Sequence, residues 1–179
     1  MSQFKKWSQK EHSFTKRIVV MLFAGIFFLG ILPYLFLVVC PSVDERLGLD
    51  RIQPGAVTML IGGIIMVCGF ALAFWTISKQ LDQGRGTPLP MMPTQELIIS
   101  GPFRYCRNPM TLGAILAYLG LSIGAATAVG VALVLLFGSL LIIYLRTVEE
   151  KELAERFGES YLEYKKSVPF IVPRIPKKN

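Results

Sequence analysis

Charged positions in this chain fall into clusters separated by long uncharged runs. No charge interrupts residues 18–43, 52–78 or 108–145. A helix of roughly 20 apolar residues crosses the hydrocarbon core of a bilayer, so each of the first two runs suits one span. The third is too long for one helix and barely enough for two, which predicts a tight helical hairpin turning near Gly124 to Gly130. The pattern therefore predicts a single membrane domain with an all-α, polytopic fold and four transmembrane helices. Its parts are an amino-terminal segment 1–17, spans at 18–40 and 55–78, a connection 79–108, the hairpin 109–145 and a carboxyl-terminal segment 146–179.

Local signals refine these elements. Pro33 should kink the first span, and 41–54 should form a short loop. Gly62, Gly63 and Gly69 in the second span, and Gly113, Gly120, Gly124 and Gly138 in the hairpin, would let neighbouring backbones come close. Asn108 before Pro109 reads as a helix start, because an Asn side chain can accept from orphan first-turn amides and Pro has none to lose. The prolines and glycines of 84–93 exclude a regular helix and predict a stiff strap, either a linker or a lid over a site. Val148 to Lys166 has helical spacing, with Leu153, Phe157, Tyr161 and Tyr164 on one face, so an amphipathic helix along the membrane surface is expected, with Gly158 as a break. The ending Val168-Pro169-Phe170-Ile171-Val172-Pro173 should be extended and dock back onto the protein.

Composition supports an integral membrane protein: of 179 residues 53% are hydrophobic and 17% charged, with a net charge of +7. Lysine and arginine favour the cytoplasmic side, and they concentrate before the first span and after the last, so both termini should be cytoplasmic. The basic excess then meets anionic lipid headgroups, and no nucleic-acid partner is inferred from it. Cys40, Cys68 and Cys106 lack paired spacing and read as reduced and structural. One histidine, His12, leaves no basis for a histidine metal site or general base, so no metal is expected.

With no ionisable residue inside any predicted span, ion-coupled transport has little support. Polar chemistry gathers at one rim, where the hairpin would bring Arg104 and Arg107 near Glu149 and Glu150. The guanidinium groups suit a carboxylate or phosphate, and the carboxylates suit hydroxyls or a cationic amine. Each has an ordinary reading too: arginines beside a span anchor to headgroups, glutamates favour the positive end of a helix, and Tyr105, Tyr161 and Tyr164 suit an interface. Nothing local lowers the pKa of Cys106, so no nucleophilic role is assigned.

The run GPFRYCRNPM, a hydrophobic hairpin, then Glu149-Glu150 with Leu153, Phe157-Gly158, Tyr161 and Tyr164, resembles the integral-membrane methyltransferase group. That group comprises isoprenylcysteine carboxyl methyltransferases and phospholipid N-methyltransferases, and the likeness covers roughly Thr87 to Pro173. It implies an all-helical bundle that binds S-adenosylmethionine from the cytoplasm and methylates a lipidic acceptor reached from the bilayer, in a bacterial inner membrane. Carried over by position, Arg107, Asn108 and Pro109 would contact the cofactor, partly through backbone. Glu149 and Glu150 would bind its ribose or amino end. Tyr105 and Arg146 would line the pocket, Arg146 and Glu150 would serve catalysis, and Arg104 and Tyr161 would meet the acceptor. Isoprenylcysteine enzymes usually have His where this chain has Asn108, and Asn does not titrate near neutral pH, which speaks against an acceptor requiring that imidazole. Two alternatives remain: a reductase of the sterol-reductase type, whose comparable segment would bind NADPH, and a non-enzymatic four-span scaffold or exporter.

Overall fold

The computed structural model describes residues 14–49, 54–83 and 96–175. Among these the regular structure is all helical, with no strand. The 84–93 strap and most of the amino-terminal segment lie outside the described residues.

The first helix, α1, begins at Phe14–Ile26 and passes through π-turns at Phe27–Ile31 and Leu35–Val39 to end in Cys40–Arg46. Each π-turn lies just before a proline, Pro33 or Pro41. A proline inside a helix has no amide to donate and its ring presses on the carbonyl one turn back, and widening the turn relieves both problems. The carbonyl of Phe28 instead accepts from the Tyr118 hydroxyl. The helix also runs through the first part of the expected 41–54 loop, because Pro41 stands in the first turn of its last segment, where proline is tolerated.

Helix α2 is Ala56–Gln83, α3 is Pro109–Gly124 and α4 begins as Ala128–Tyr144. α4 then continues through a π-turn, Leu145–Glu149, into Glu150–Phe157, and a last helix, α5, occupies Glu159–Ser167. The expected surface helix is thus divided. Nothing between Tyr144 and Phe157 can stop a helix, so its first half extends α4, and the break falls at Gly158, whose φ of +57° is one that glycine adopts at little cost.

Among the described residues three helices are long and apolar enough to cross a membrane, Val19–Arg46, Ala56–Gln83 and Ala128–Phe157, where the sequence predicted four. The shorter apolar helix is α3, with 16 residues and so about 24 Å in length, against a hydrocarbon core of about 30 Å. Outward-facing side chains such as Leu22, Phe23, Leu60, Ile64, Phe137 and Leu140 are exposed and apolar, as a lipid-facing surface requires.

The tightest packing joins α2 to α3, not the two arms of the predicted hairpin. α2 buries Gly62, Gly69 and Thr76, and α3 buries Gly113, Ala117 and Gly120. A Cβ placed on Gly69 would lie 2.3 Å from the Ala117 amide nitrogen, and one on Gly120 would lie 2.3 Å from that of Met66. The two backbones therefore touch directly, which only small residues allow. Gly63 has nothing within 4 Å and plays no such part. The far end of the bundle is closed by buried Asp44 of α1, which accepts from the Thr127 hydroxyl and from the Val129 amide at 2.9 Å. Thr127 in turn caps α4 by accepting from the Gly130 amide at 3.1 Å.

The contact between α2 and α3 yields a graded prediction. Gly69→Val or Gly120→Val should destabilise the protein by more than the roughly 1–3 kcal/mol typical of overpacking, because the clash is with backbone, while Gly63→Val should be close to neutral. Thermal unfolding in detergent, followed by fluorescence size exclusion, measures the difference.

Candidate functional site

The site lies at the opposite end of the bundle from Asp44. Before α3 the chain lies across the end of α2: the Ser100 hydroxyl donates to Gln83, and Gly101, at φ +59°, packs on the Lys79 side chain. A 3-10 turn, Gly101–Arg104, then delivers Arg107 and Asn108 to the first turn of α3. From the other side α4 brings Glu149 and Glu150, and α5 returns past the Gly158 break to bring Tyr161, Tyr164 and Lys165.

Arg107 is the hub. Its guanidinium pairs with the Glu150 carboxylate through both Nε, at 3.1 Å, and Nη2, and it donates to the backbone carbonyls of Lys165, at 3.0 Å, and Val168. Lys165 Nζ takes the other Glu150 oxygen at 2.8 Å. Side-chain exposure is 9% for Arg107 and 11% for Glu150, so water screens their pairing little. Both ends of the hydrophobic hairpin thus meet in one ion pair.

The extended tail docks on the same loop. Arg107 and Asn108 amides donate to the carbonyls of Pro169, at 2.9 Å, and Phe170, at 3.1 Å, and the Arg174 amide donates to the Tyr105 carbonyl at 2.9 Å. Asn108 occupies the helix-start position but does not cap with its side chain; Nδ2 donates instead to the Phe170 carbonyl at 3.0 Å. The tail offers that amide a half-buried carbonyl, whereas Pro109 leaves one fewer first-turn amide to satisfy. Arg146 lies 4.8 Å over the Phe170 ring and so clamps the tail from above.

Beside the ion pair is a cleft of about 80 Å³ of water-accessible space. Its walls include Gln80, Phe103, Asn108, Glu149, Phe157 and Tyr161. Burial pushes the Tyr161 phenol up to about 12, with nearby Glu150 adding to the shift and Arg107 opposing it. Tyr164 is raised too, chiefly by burial, and donates to the Phe103 carbonyl at 2.7 Å. Both phenols stay neutral at physiological pH. The Cys106 thiol is raised by burial, which keeps it protonated and poorly nucleophilic. Among the described residues no cluster of His, Cys, Asp or Glu could hold a metal ion. On the lipid side, a separate apolar groove of about 200 Å³ runs between α1, α2 and α3, walled by Met21, Phe28, Phe74, Ile77, Met110 and Tyr118.

The model of the phospholipid methyltransferase family matches residues 57–160, more than half of the 179-residue chain. The chain belongs to the phospholipid methyltransferase family. No curated protein and no solved structure matches it. The matched region runs from the start of α2 to the beginning of α5 and so contains the loop, the hairpin and both glutamates of this membrane methyltransferase.

Of the residues singled out in the sequence, Arg107, Asn108, Glu149, Glu150 and Tyr161 line the methyltransferase's cleft. Pro109 is buried at the start of α3. Arg104, Tyr105 and Arg146 lie outside the cleft lining: Arg104 is exposed, Tyr105 packs 6.3 Å from Trp75, and Arg146 holds the tail. The amides of Arg107 and Asn108 are committed to the tail, so backbone contact with a ligand would have to come from elsewhere in the loop. Lys165 and Gln80 were not singled out in the sequence, whereas Phe170 belongs to the tail that was expected to dock back, and it does so on Asn108. Gly158 was the available signal for Lys165, since a break there is what folds α5 back toward Glu150.

Removing one partner from the ion pair leaves the other buried and uncompensated. Glu150→Ala should therefore cost on the order of 2–4 kcal/mol of stability, and Glu163→Ala, at an exposed position on α5, should cost almost nothing. Thermal melts of the two variants in the same detergent make the comparison.

Proposed function

We propose that this protein transfers a methyl group from S-adenosylmethionine to a lipidic acceptor at the cytoplasmic end of the bundle, in a manner like that of the isoprenylcysteine enzymes. The observation that carries the reading is the meeting of Arg107 and Glu150 across the hairpin, beside a cleft on one side and an apolar groove on the other.

The residues present suit the methyl donor. It carries a sulfonium and an ammonium group, a carboxylate, ribose hydroxyls and an aromatic base. Glu149 and Glu150 offer acceptors for the ammonium or the ribose, and Phe103, Phe157 and Tyr161 offer ring faces for a cation or a base. At about 80 Å³ the cleft is smaller than the few hundred Å³ of ordinary ligand pockets, so admitting the donor requires side chains to withdraw. Lys165 is the natural one to leave, being 43% exposed and bound only at its tip. Arg107 would remain to orient Glu150, and Arg146 would act as a positioning residue by holding Phe170 against the loop.

Bound there, S-adenosylmethionine supplies an already activated methyl group. The protein's work is to align donor and acceptor and to exclude water, and no titrating base near neutrality is needed for a carboxylate or thiolate acceptor. The groove supports a lipidic acceptor. Its residues Ile77 on α2 and Met110 on α3 stand within a turn of Gln80 and Asn108, which line the cleft, so an apolar chain in the groove would present its polar end beside the methyl donor. The concentration of Lys and Arg after α4 supports a cytoplasmic location for this end.

Two measurements test the reading. Calorimetry in detergent should show binding of S-adenosylhomocysteine, weakened at least tenfold in Glu149→Gln and Glu150→Gln; unchanged binding in both variants would sink the residue assignment, and binding of NADPH alone would favour the reductase. Cells fed methyl-labelled methionine should show a labelled lipid that depends on the gene and disappears in Glu150→Gln.

A further inference from the structure

The described residues satisfy their buried polar groups closely. Thr76 donates to Leu72, Ser122 donates to Tyr118, Asp44 accepts from Thr127, and Glu150 is held by Arg107 and Lys165. The buried side-chain atom left without a hydrogen-bond partner among them is Gln80 Oε1. An unmatched buried acceptor is costly, and folded proteins leave few of them.

Gln80 has a telling place. It is one helical turn beyond Thr76 on α2, in continuation of the buried stripe of Gly62, Gly69 and Thr76 that faces α3. That level lies beyond the first turn of α3, and Gln80 lines the cleft together with Glu96, Ile98, Phe103 and Asn108. A small residue would have continued the helix contact, whereas a long amide instead reaches the site. The cleft lining contains one cationic side chain, Arg107, and it is already engaged by Glu150 and two carbonyls. The unmatched oxygen therefore calls for an N–H brought in by a ligand.

We propose that Gln80 is a recognition residue of this cleft, its Oε1 accepting a hydrogen bond from an N–H of the bound methyl donor. The assignment rests on the methyl-donor reading above and extends it to a helix that neither the arginine loop nor the glutamates include. Two groups of the donor carry such an N–H, the exocyclic amine of the adenine and the ammonium of the amino-acid end. A carbonyl oxygen suits both, and it would reject an analogue presenting a lone pair at the same place.

The test titrates wild-type protein, Gln80→Leu and Gln80→Glu in detergent with S-adenosylhomocysteine and with 5′-methylthioadenosine, which lacks the amino-acid end. Gln80→Leu should bind S-adenosylhomocysteine roughly tenfold or more weakly, and its ligand-free melting temperature should stay level or rise, because an unmatched polar atom has been removed. Gln80→Glu, which keeps an acceptor, should retain most of the affinity. An equal loss for 5′-methylthioadenosine assigns the contact to adenine, and a loss confined to S-adenosylhomocysteine assigns it to the ammonium. Should Gln80→Leu fold and bind both ligands like wild type, the oxygen is matched by water and the inference is overturned while the methyl-donor reading stands. Should wild type bind neither ligand, both fall together. Gln80→Met, closer in length, replaces Gln80→Leu if the latter melts lower than wild type.

Discussion

Two helices in backbone contact cannot slide past one another, and that constraint governs this protein. The crowding of Gly69 against Ala117 and of Gly120 against Met66 fixes the height of α3 on α2. Because Arg107 and Asn108 immediately precede α3, the same contact fixes where the guanidinium stands. The ion pair with Glu150 then has a firm partner on one side and the long α4, continued through its π-turn, on the other. A pair so placed resists the several kcal/mol of desolvation that burying each charge costs, because Arg107 also meets two carbonyls and Glu150 a second cation.

The polar groups are divided between the two ends of the bundle by role. At one end Asp44 and Thr127 satisfy a helix start and one another, leaving nothing over for chemistry. At the other, charges, phenols and an unmatched amide collect around a small cleft. Between them the helices carry apolar side chains outward, so each end is separated from the other by lipid-facing surface. The proposed reaction, with a soluble donor taken from water and an acceptor from the bilayer, needs such a boundary where the two meet.

Much of this was readable in the chain, for physical reasons that differ by feature. Uncharged runs located the apolar helices because charge in hydrocarbon is prohibitive, and the convergence of the arginine loop with Glu149 and Glu150 followed from folding a hairpin. Glycines announced close packing, but not with which neighbour: the spacing of Gly62 and Gly69 fits α3 only once the height of α3 is known. The extension of α1 to Arg46 was hidden because Pro41 is compatible with a first turn as well as with a loop. Asn108 looked like a cap, and its side chain went to Phe170: the prolines and apolar residues of the tail announced that it docks back, but no local pattern named the group it would meet. Gln80 was invisible for the same reason, since an amide lacks a partner only in three dimensions.

The first helix is anchored unevenly. Phe36 and Cys40, in its distal half, sit in the core with Tyr118 and Val134, and Asp44 ties its end to the α3–α4 turn. Its proximal half is held by Phe28, whose proline-released carbonyl takes the Tyr118 hydroxyl, and beyond that it stands away from α2 and α3. The groove between that half and its neighbours is accordingly apolar and walled in part by the rings of Phe28, Phe70, Phe74 and Tyr118. If the proposed acceptor threads its greasy tail there, the groove's finite volume measures it: short tails would fit inside, and longer ones would have to trail out into the surrounding bilayer.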